Sequence, residues 1–393
     1  MSHTVLRSSR HLRALRHVRG LGLSLALRTR TPRPPLGNSD GLSRSSPGGR
    51  HPGGRRLRAS LAAVPVAGLL ALVAGCAATP ASGQASSGKS GGTVLNVGDQ
   101  QQEIETLMRA SGALNGASFK VNFVEFDSGP LVDAGFAAHQ IDIGTMGDLP
   151  AALAVRSGLP VRAVAVYLPI GADEFLVAQP GISSIAQLRG KPVAYTTGTA
   201  EQAFALRALK SAGLTQADVH QVNVSLLQLG TVLESGSADA SVVSVEQKVD
   251  YQQTHPTAKV LANIDTVAPP SYGYLLGTTA ALGSPAKLTA INDFVKRLIQ
   301  AENWEKTHQS QWVTDYYVDV EHQTPAAAKL ILAAGGTETY EPITPAVQAA
   351  LQGVVSLMAG AGAWPKTFSV ASLYDAAQSG RYNAIVKEVP QNG

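Results

Sequence analysis

The sequence predicts an α/β protein of two open-sheet lobes followed by a C-terminal layer of helices. From Thr93 onward, short β-branched runs alternate with amphipathic stretches, the pattern of parallel strands joined by helical crossovers. The alternation runs through two successive cycles, each long enough for a lobe of about 100 residues. Beyond YGYLLGTTAAL, which ends at Leu282, the pattern becomes mostly helical.

The first cycle reads TVLNVG, IETLMRASGAL, FKVNFVEF, PLVDAGFAAHQ, IDIGTMG, PAALAVRSG and VRAVAVY. The second reads DEFLVAQ, SIAQLRG, KPVAYTT, AEQAFALRALKSAG, DVHQVNVSL, a helix near 230–236, DASVVSV and AKVLANI. Three later helices start at Ser284-Pro285, Thr324-Pro325 and Thr344-Pro345, each a capping hydroxyl before a proline that suits the first helical position. No repeat of solenoid period is present.

The 393 residues are not of uniform character. Residues 1–58 hold thirteen arginines, Asp40 and no lysine, a charge of +12; with the whole chain at +4, the remainder is −8. A basic segment expected to be removed is no argument for nucleic-acid binding by the folded part. The uncharged run ASLAAVPVAGLLALVAG follows, shorter than the roughly 20 apolar residues of a spanning helix and sized for a signal-peptide core. The basic stretch before Arg55 reads either as an unusually long n-region or as sequence ahead of the true start.

The run ends in VAGC, which resembles the lipobox of bacterial lipoproteins and implies lipidation of Cys76, the one cysteine. The other reading of Cys76 is an ordinary buried thiol. The AATPASGQASSGKSGG that follows cannot bury enough apolar surface to order itself and reads as a tether. The expected division is 1–75 basic n-region and signal, 76–92 tether, 93–168 first lobe, 169–270 second lobe, and 271–393 return to the first lobe plus C-terminal helices.

In open sheets of this kind, ligands sit beyond the carboxyl ends of strands, where loops enter helices. NVGDQQQEIE places Gln100, Gln101 and Gln102 at one such entrance, as ligand donors and acceptors or as exposed first-turn glutamines. EFDSGPLVDA offers Ser128 as cap or ligand, Gly129 for close approach and Pro130 to start the helix. DIGTMGDLPAAL reads as a turn from Gly144 to Gly147, with Asp148 capping a helix that begins near Pro150. In AYTTGTAEQAF, Thr199 and Gln202 form a T-x-x-Q capping box after Gly198, the strongest local signal for an anion.

A catalytic set is not legible. The histidines lack metal-ligand spacing, and there is no G-x-S-x-G elbow and no phosphate-binding G-x-x-x-x-G-K-[ST] loop. No cofactor and no metal are expected. Asp127, Asp148 and Glu246 read first as solvated or capping acids.

The succession VGDQ, RASGAL, FDSGPLVDAGF, IDIGTMGDLPAALAVRSGLPVRAVAVY and SIAQLRGKPVAYTTGTAEQAFALRALKSAGL, then ADV, resembles the aliphatic-sulfonate, nitrate and taurine group of ABC-importer substrate-binding proteins. The likeness is dense from Thr93 to Val245 and looser beyond. It implies a two-lobed periplasmic-binding-protein-like type II fold with a hinge near Tyr167–Ile170 and Tyr272–Leu276. It also implies a monomer that closes over a small-molecule ligand and docks on permease subunits at the outer face of the cytoplasmic membrane, held there by the lipid. The matching cleft residues are Gln100, Gln101, Ser128, Gly129, Gly147, Asp148, Thr197, Gly198, Thr199 and Ala200, with Tyr272 at the second crossover.

Where the sulfonate branch has a tryptophan and then a proline-aromatic pair, this chain has Val242-Val243-Ser244-Val245-Glu246. A carboxylate there disfavours a simple dianion and favours an amine-bearing or heteroaromatic ligand, such as a pyrimidine thiamine precursor. Three readings result: a lipid-anchored binder of a small organic anion or of that alternative ligand, an extracellular enzyme using Asp148 or Glu246, and a lipoprotein that binds a partner protein.

Overall fold

The computed structural model describes residues 92–170, 174–267 and 270–391. The expected signal, Cys76 and nearly all of the tether lie outside them.

The first cycle forms β1 (Val94–Gln100), α1 (Glu103–Ala110), β2 (Lys120–Phe126), α2 (Gly129–Ala137), β3 (Ile143–Met146), α3 (Asp148–Arg156) and β4 (Val161–Ile170). The second forms β5 (Phe175–Ala178), β6 (Pro192–Ala194), α4 (Ala200–Ser211), β7 (His220–Val222), α5 (Leu229–Glu234), β8 (Ala240–Val243), α6 (Val245–Thr254) and β9 (Lys259–Asn263). The chain then makes β10 (Gly273–Thr278), α7 (Thr279–Gly283), α8 (Pro285–Thr307) and α9 (Gln309–Trp312), which runs on as a π-helical turn, Val313–Val318. Last come α10 (Pro325–Ala334), β11 (Thr337–Tyr340), α11 (Pro345–Gly360) and α12 (Ala376–Glu388).

The strands make two sheets, ordered β11-β4-β10-β3-β1-β2 and β7-β6-β8-β5-β9. The fold is α/β and two-lobed, as expected, but the sheets are mixed rather than parallel. β1 runs parallel to β2 and β3, and β6 to β7 and β8, whereas β10 is antiparallel to β3 and β4, and β5 to β8 and β9. The cause is connectivity: β10 follows the second sheet and starts beside Met146, where β3 ends, so it must run the opposite way. The four residues of β3 and the four of β8 are all buried, which favours continuous apolar runs over alternation.

All three Ser/Thr-Pro starts fall where expected. Thr324 and Thr344 accept hydrogen bonds from the N–H groups of Ala327 and Val347 at 3.2 and 3.4 Å; Ser284 precedes α8 without a side-chain bond. The C-terminal helices do not all return to the first sheet. α8 packs on α1 and α12, but α10 packs on α6, and its Ile331 is buried in the second lobe's core with Phe175, Val177 and Val243. β11 then brings the chain back to pair with β4.

Asp133 in α2 is half-buried, its Oδ1 has no hydrogen-bond partner, and burial pushes its carboxyl up to about 8. Because the folded value lies above the unfolded 3.8, the native state keeps a proton that the unfolded chain releases. That stability is complete below about pH 4 and is lost as pH rises through about 8, a contribution on the order of 2–5 kcal/mol. Thermal melts should show Tm falling between pH 5 and 8.5, with a flatter slope in Asp133→Asn; equal slopes would remove Asp133 as the source.

Candidate functional site

The loop after β1 is built around Asp99, which is fully buried. Its carboxylate accepts from the N–H groups of Gln100 at 2.8 Å, Ile104 at 3.1 Å and Glu105 at 2.8 Å, joining the loop to the first turn of α1. Burial raises its pKa to about 6, against the opposing pull of those three donors. Gln101 and Gln102 both sit in the left-handed region, at φ 56° and 57°, and the Gln102 N–H donates to Glu125 at 3.0 Å. Two consecutive non-glycine residues in that region mark strain held in place by the surroundings, a feature concentrated at functional loops. Gln100 donates through Nε2 to the Thr145 carbonyl at 3.0 Å, and both Gln100 and Gln101 line a cavity of about 310 Å³.

The next two junctions contribute backbone more than side chains. Ser128 precedes α2 without a side-chain cap and does not line the cavity, whereas Gly129 does, packed so tightly that a Cβ would lie 2.5 Å from Pro150 Cγ. The expected Gly144–Gly147 turn is instead strand β3 with Gly147 as the cap of α3, because residues 143–146 pair with β10 on one side and β1 on the other. Gly147 lines the cavity and abuts the second lobe: a Cβ on it would lie 2.7 Å from that of Ala200.

Asp148 is placed away from the cavity. Only 2% exposed, it is the first residue of α3 and accepts from Arg207 Nη2 at 2.5 Å and from Ser271 Oγ at 2.8 Å. Arg207 comes from α4 and also donates to Ser271 Oγ at 3.3 Å, so one buried group ties the first lobe, the second lobe and the segment leading into β10.

At the start of α4, Thr199 and Ala200 line the cavity while Thr197 and Gly198 do not. The capping box does not form. The Thr199 hydroxyl donates to the Thr196 carbonyl at 2.8 Å, and Gln202 Oε1 accepts from the Gly198 N–H at 2.9 Å. Gly198, at φ +86°, turns the chain so that its own N–H, not that of Thr199, reaches Gln202.

Between the two sheets the cavity is bounded by Tyr167 of β4 and by Ser271, Tyr272 and Gly273 at the start of β10. Tyr167 lies over Gly273, its β10 partner, and its hydroxyl is 3.2 Å from Thr145 Oγ1. Glu246 lines the second-lobe side, as does the chain from Val243 to Gln247.

The sequence reading missed two groups of lining residues. The first is aromatic: Trp312 stacks on Tyr316 at 4.7 Å, Tyr316 meets Tyr317 edge-on at 5.3 Å, and Tyr340 lies 5.7 Å from Tyr167. Their signal was the i, i+4, i+5 spacing in WVTDYY, which places them on one side of a helical turn. The second is acidic: Glu103, Glu174, Glu201 and Glu338, with Glu302 and Glu305 of α8, join Glu246 around the cavity, against the single lysine Lys306. Burial pushes Glu302 and Glu305 up, Glu302 further through repulsion by Glu305, while Lys306 pulls both down. Among the described residues no cluster has the makings of a metal site.

Residues 115–304 match the family described as NMT1/THI5 like. An Escherichia coli (strain K12) protein named for aliphatic sulfonate binding is 30% identical over 151 residues, 37% of this chain and 47% of that protein. The chain thus spans about half the length of that relative. A Bacillus subtilis (strain 168) protein of the same name is 27% identical over 256 residues, 63% of this chain and 75% of the relative. The chain is thus similar over part of its length to proteins named for aliphatic sulfonate binding. The fold agrees: the periplasmic aliphatic sulphonate binding protein SsuA from Escherichia coli superposes with a TM-score of 0.63 at 20% identity, over 72% of this chain and 92% of that one. In this fold, the loops around Gln101, Gly129, Gly147 and Ala200 meet at the cavity between the lobes.

Proposed function

We propose that this chain is the extracytoplasmic substrate-binding protein of an ABC importer and captures a small organic molecule in the cavity between its lobes. One observation carries the reading: a space of about 310 Å³ between two sheets, bounded by the strands that join them, with the strained Gln101 loop facing in. That volume suits a small ligand rather than a protein segment. The relatives point first to aliphatic sulfonates, for which neutral amides and backbone N–H groups suffice as donors. The segments near Tyr167–Ile170 and Tyr272–Leu276 serve as hinges, and Cys76 carries the lipid that keeps the protein near its permease.

Scanning fluorimetry and calorimetry across aliphatic sulfonates, taurine, nitrate and pyrimidines test this. A ligand at 100 times its Kd should stabilise the protein by about 2.7 kcal/mol, with the rise in Tm that this implies. No response to any member would defeat the reading, and palmitate-analogue labelling that survives Cys76→Ser would remove the anchor from it.

A further inference from the structure

The α8 side of the cavity has a chemistry that a simple sulfonate does not use. Glu302 is 9% exposed, lines the cavity, and makes no hydrogen bond or ion pair with any described residue. Burial raises its pKa, so its charged form gains from a cation brought beside it. Glu305 stands one turn on, and both lie in the last two turns of a 23-residue helix, where the negative end of the helix dipole adds to their repulsion. Lys306 forms no ion pair within 4.0 Å with either of them.

Aromatic faces complete the arrangement. Tyr340 is close enough to Glu302 to feel its charge, and Tyr167 packs on Tyr340. Tyr316, stacked on the buried Trp312, feels the charges of Glu103 and Glu246. Carboxylates interleaved with tyrosine and tryptophan rings attract a positive group through both its charge and its face-on contact with the rings. An anion would meet repulsion from the same residues.

We infer that the α8 side of the cavity is a subsite for an organic cation, a protonated amine or quaternary ammonium group carried by the ligand, with Glu302 as its counter-ion. The inference rests on the cavity being the ligand site. It goes further in assigning the ligand a positive end, whatever acid group lies elsewhere in it.

The test uses matched probes: propane-1-sulfonate, 3-aminopropane-1-sulfonate, the trimethylammonio analogue of the latter, and propylamine and tetramethylammonium alone. By calorimetry on the full mature chain, a cation-bearing probe should bind at least tenfold more tightly than propane-1-sulfonate. Comparison of the amine with its trimethylammonio analogue tells which cation the subsite takes. In Glu302→Gln, which keeps side-chain volume, that preference should fall at least fivefold. Near-UV circular dichroism checks that the variant is folded, and Glu305→Gln gives a second reading if it is not. Equal affinity for propane-1-sulfonate and its amino analogue, or a preference unchanged in both variants, would overturn the cation subsite and leave the binding-protein reading standing. Silence of these probes together with the wider panel would defeat that reading itself.

Discussion

Replacing Arg207 by methionine is expected to lower stability by about 3–5 kcal/mol, read as a drop in the urea midpoint, because it leaves the Asp148 carboxylate buried without its counter-ion. Asp148 and Arg207 are 3% and 2% exposed at the side chain, and the remaining partner of Asp148 is the neutral Ser271 hydroxyl. Removing both charges at once should cost far less. The double variant Asp148→Leu/Arg207→Met exchanges an ion pair for apolar packing, and such exchanges are often neutral. A double variant no more stable than Arg207→Met would show that the site depends on its shape and not on charge compensation. The pair also links α3 to α4, so the single variant should separate the unfolding of the lobes into two transitions, visible by calorimetry.

A side chain at Gly273 should damage the cavity directly. A Cβ there would sit 1.9 Å from Tyr167 Cζ and 2.1 Å from Cε2, so the ring and the methyl group cannot both keep their places. Gly273 is not among the residues with positive φ, which makes the clash the whole effect, with no backbone strain added. Gly273→Ala is expected to cost about 1–3 kcal/mol and to weaken ligand binding at least tenfold as Tyr167 leaves Thr145 and Tyr340. Because the two sites are in contact, their effects should not add. Gly273→Ala/Tyr167→Ala should be no less stable than Gly273→Ala alone, and simple additivity would refute the steric account.

Local pattern made much of the fold readable. The strand-helix alternation from Thr93 to Asn263 and the helix starts at Pro285, Pro325 and Pro345 all depend on near neighbours in the chain. Strand direction did not, since β10 is antiparallel only because of where the second lobe delivers it. The capping box at Thr199 failed for a similar reason: Gly198 offered Gln202 a different N–H. Among the site residues, Gln101, Gly129, Gly147 and Ala200 line the cavity because loops at strand ends converge in this architecture.

Read alone, the sequence establishes a chain of two α/β cycles, a strongly basic stretch over residues 1–58 ahead of an acidic remainder, and the set of loops that could meet at a cleft. Those features follow from composition and from spacings of two to seven residues. Tertiary structure alone decided what the cleft is made of. Asp148 lost its place there to a partner 59 positions away, Tyr167 gained one by lying over Gly273, and α8 and the WVTDYY turn supplied acids and rings. Such pairings are set by how distant segments pack, and no local periodicity encodes them.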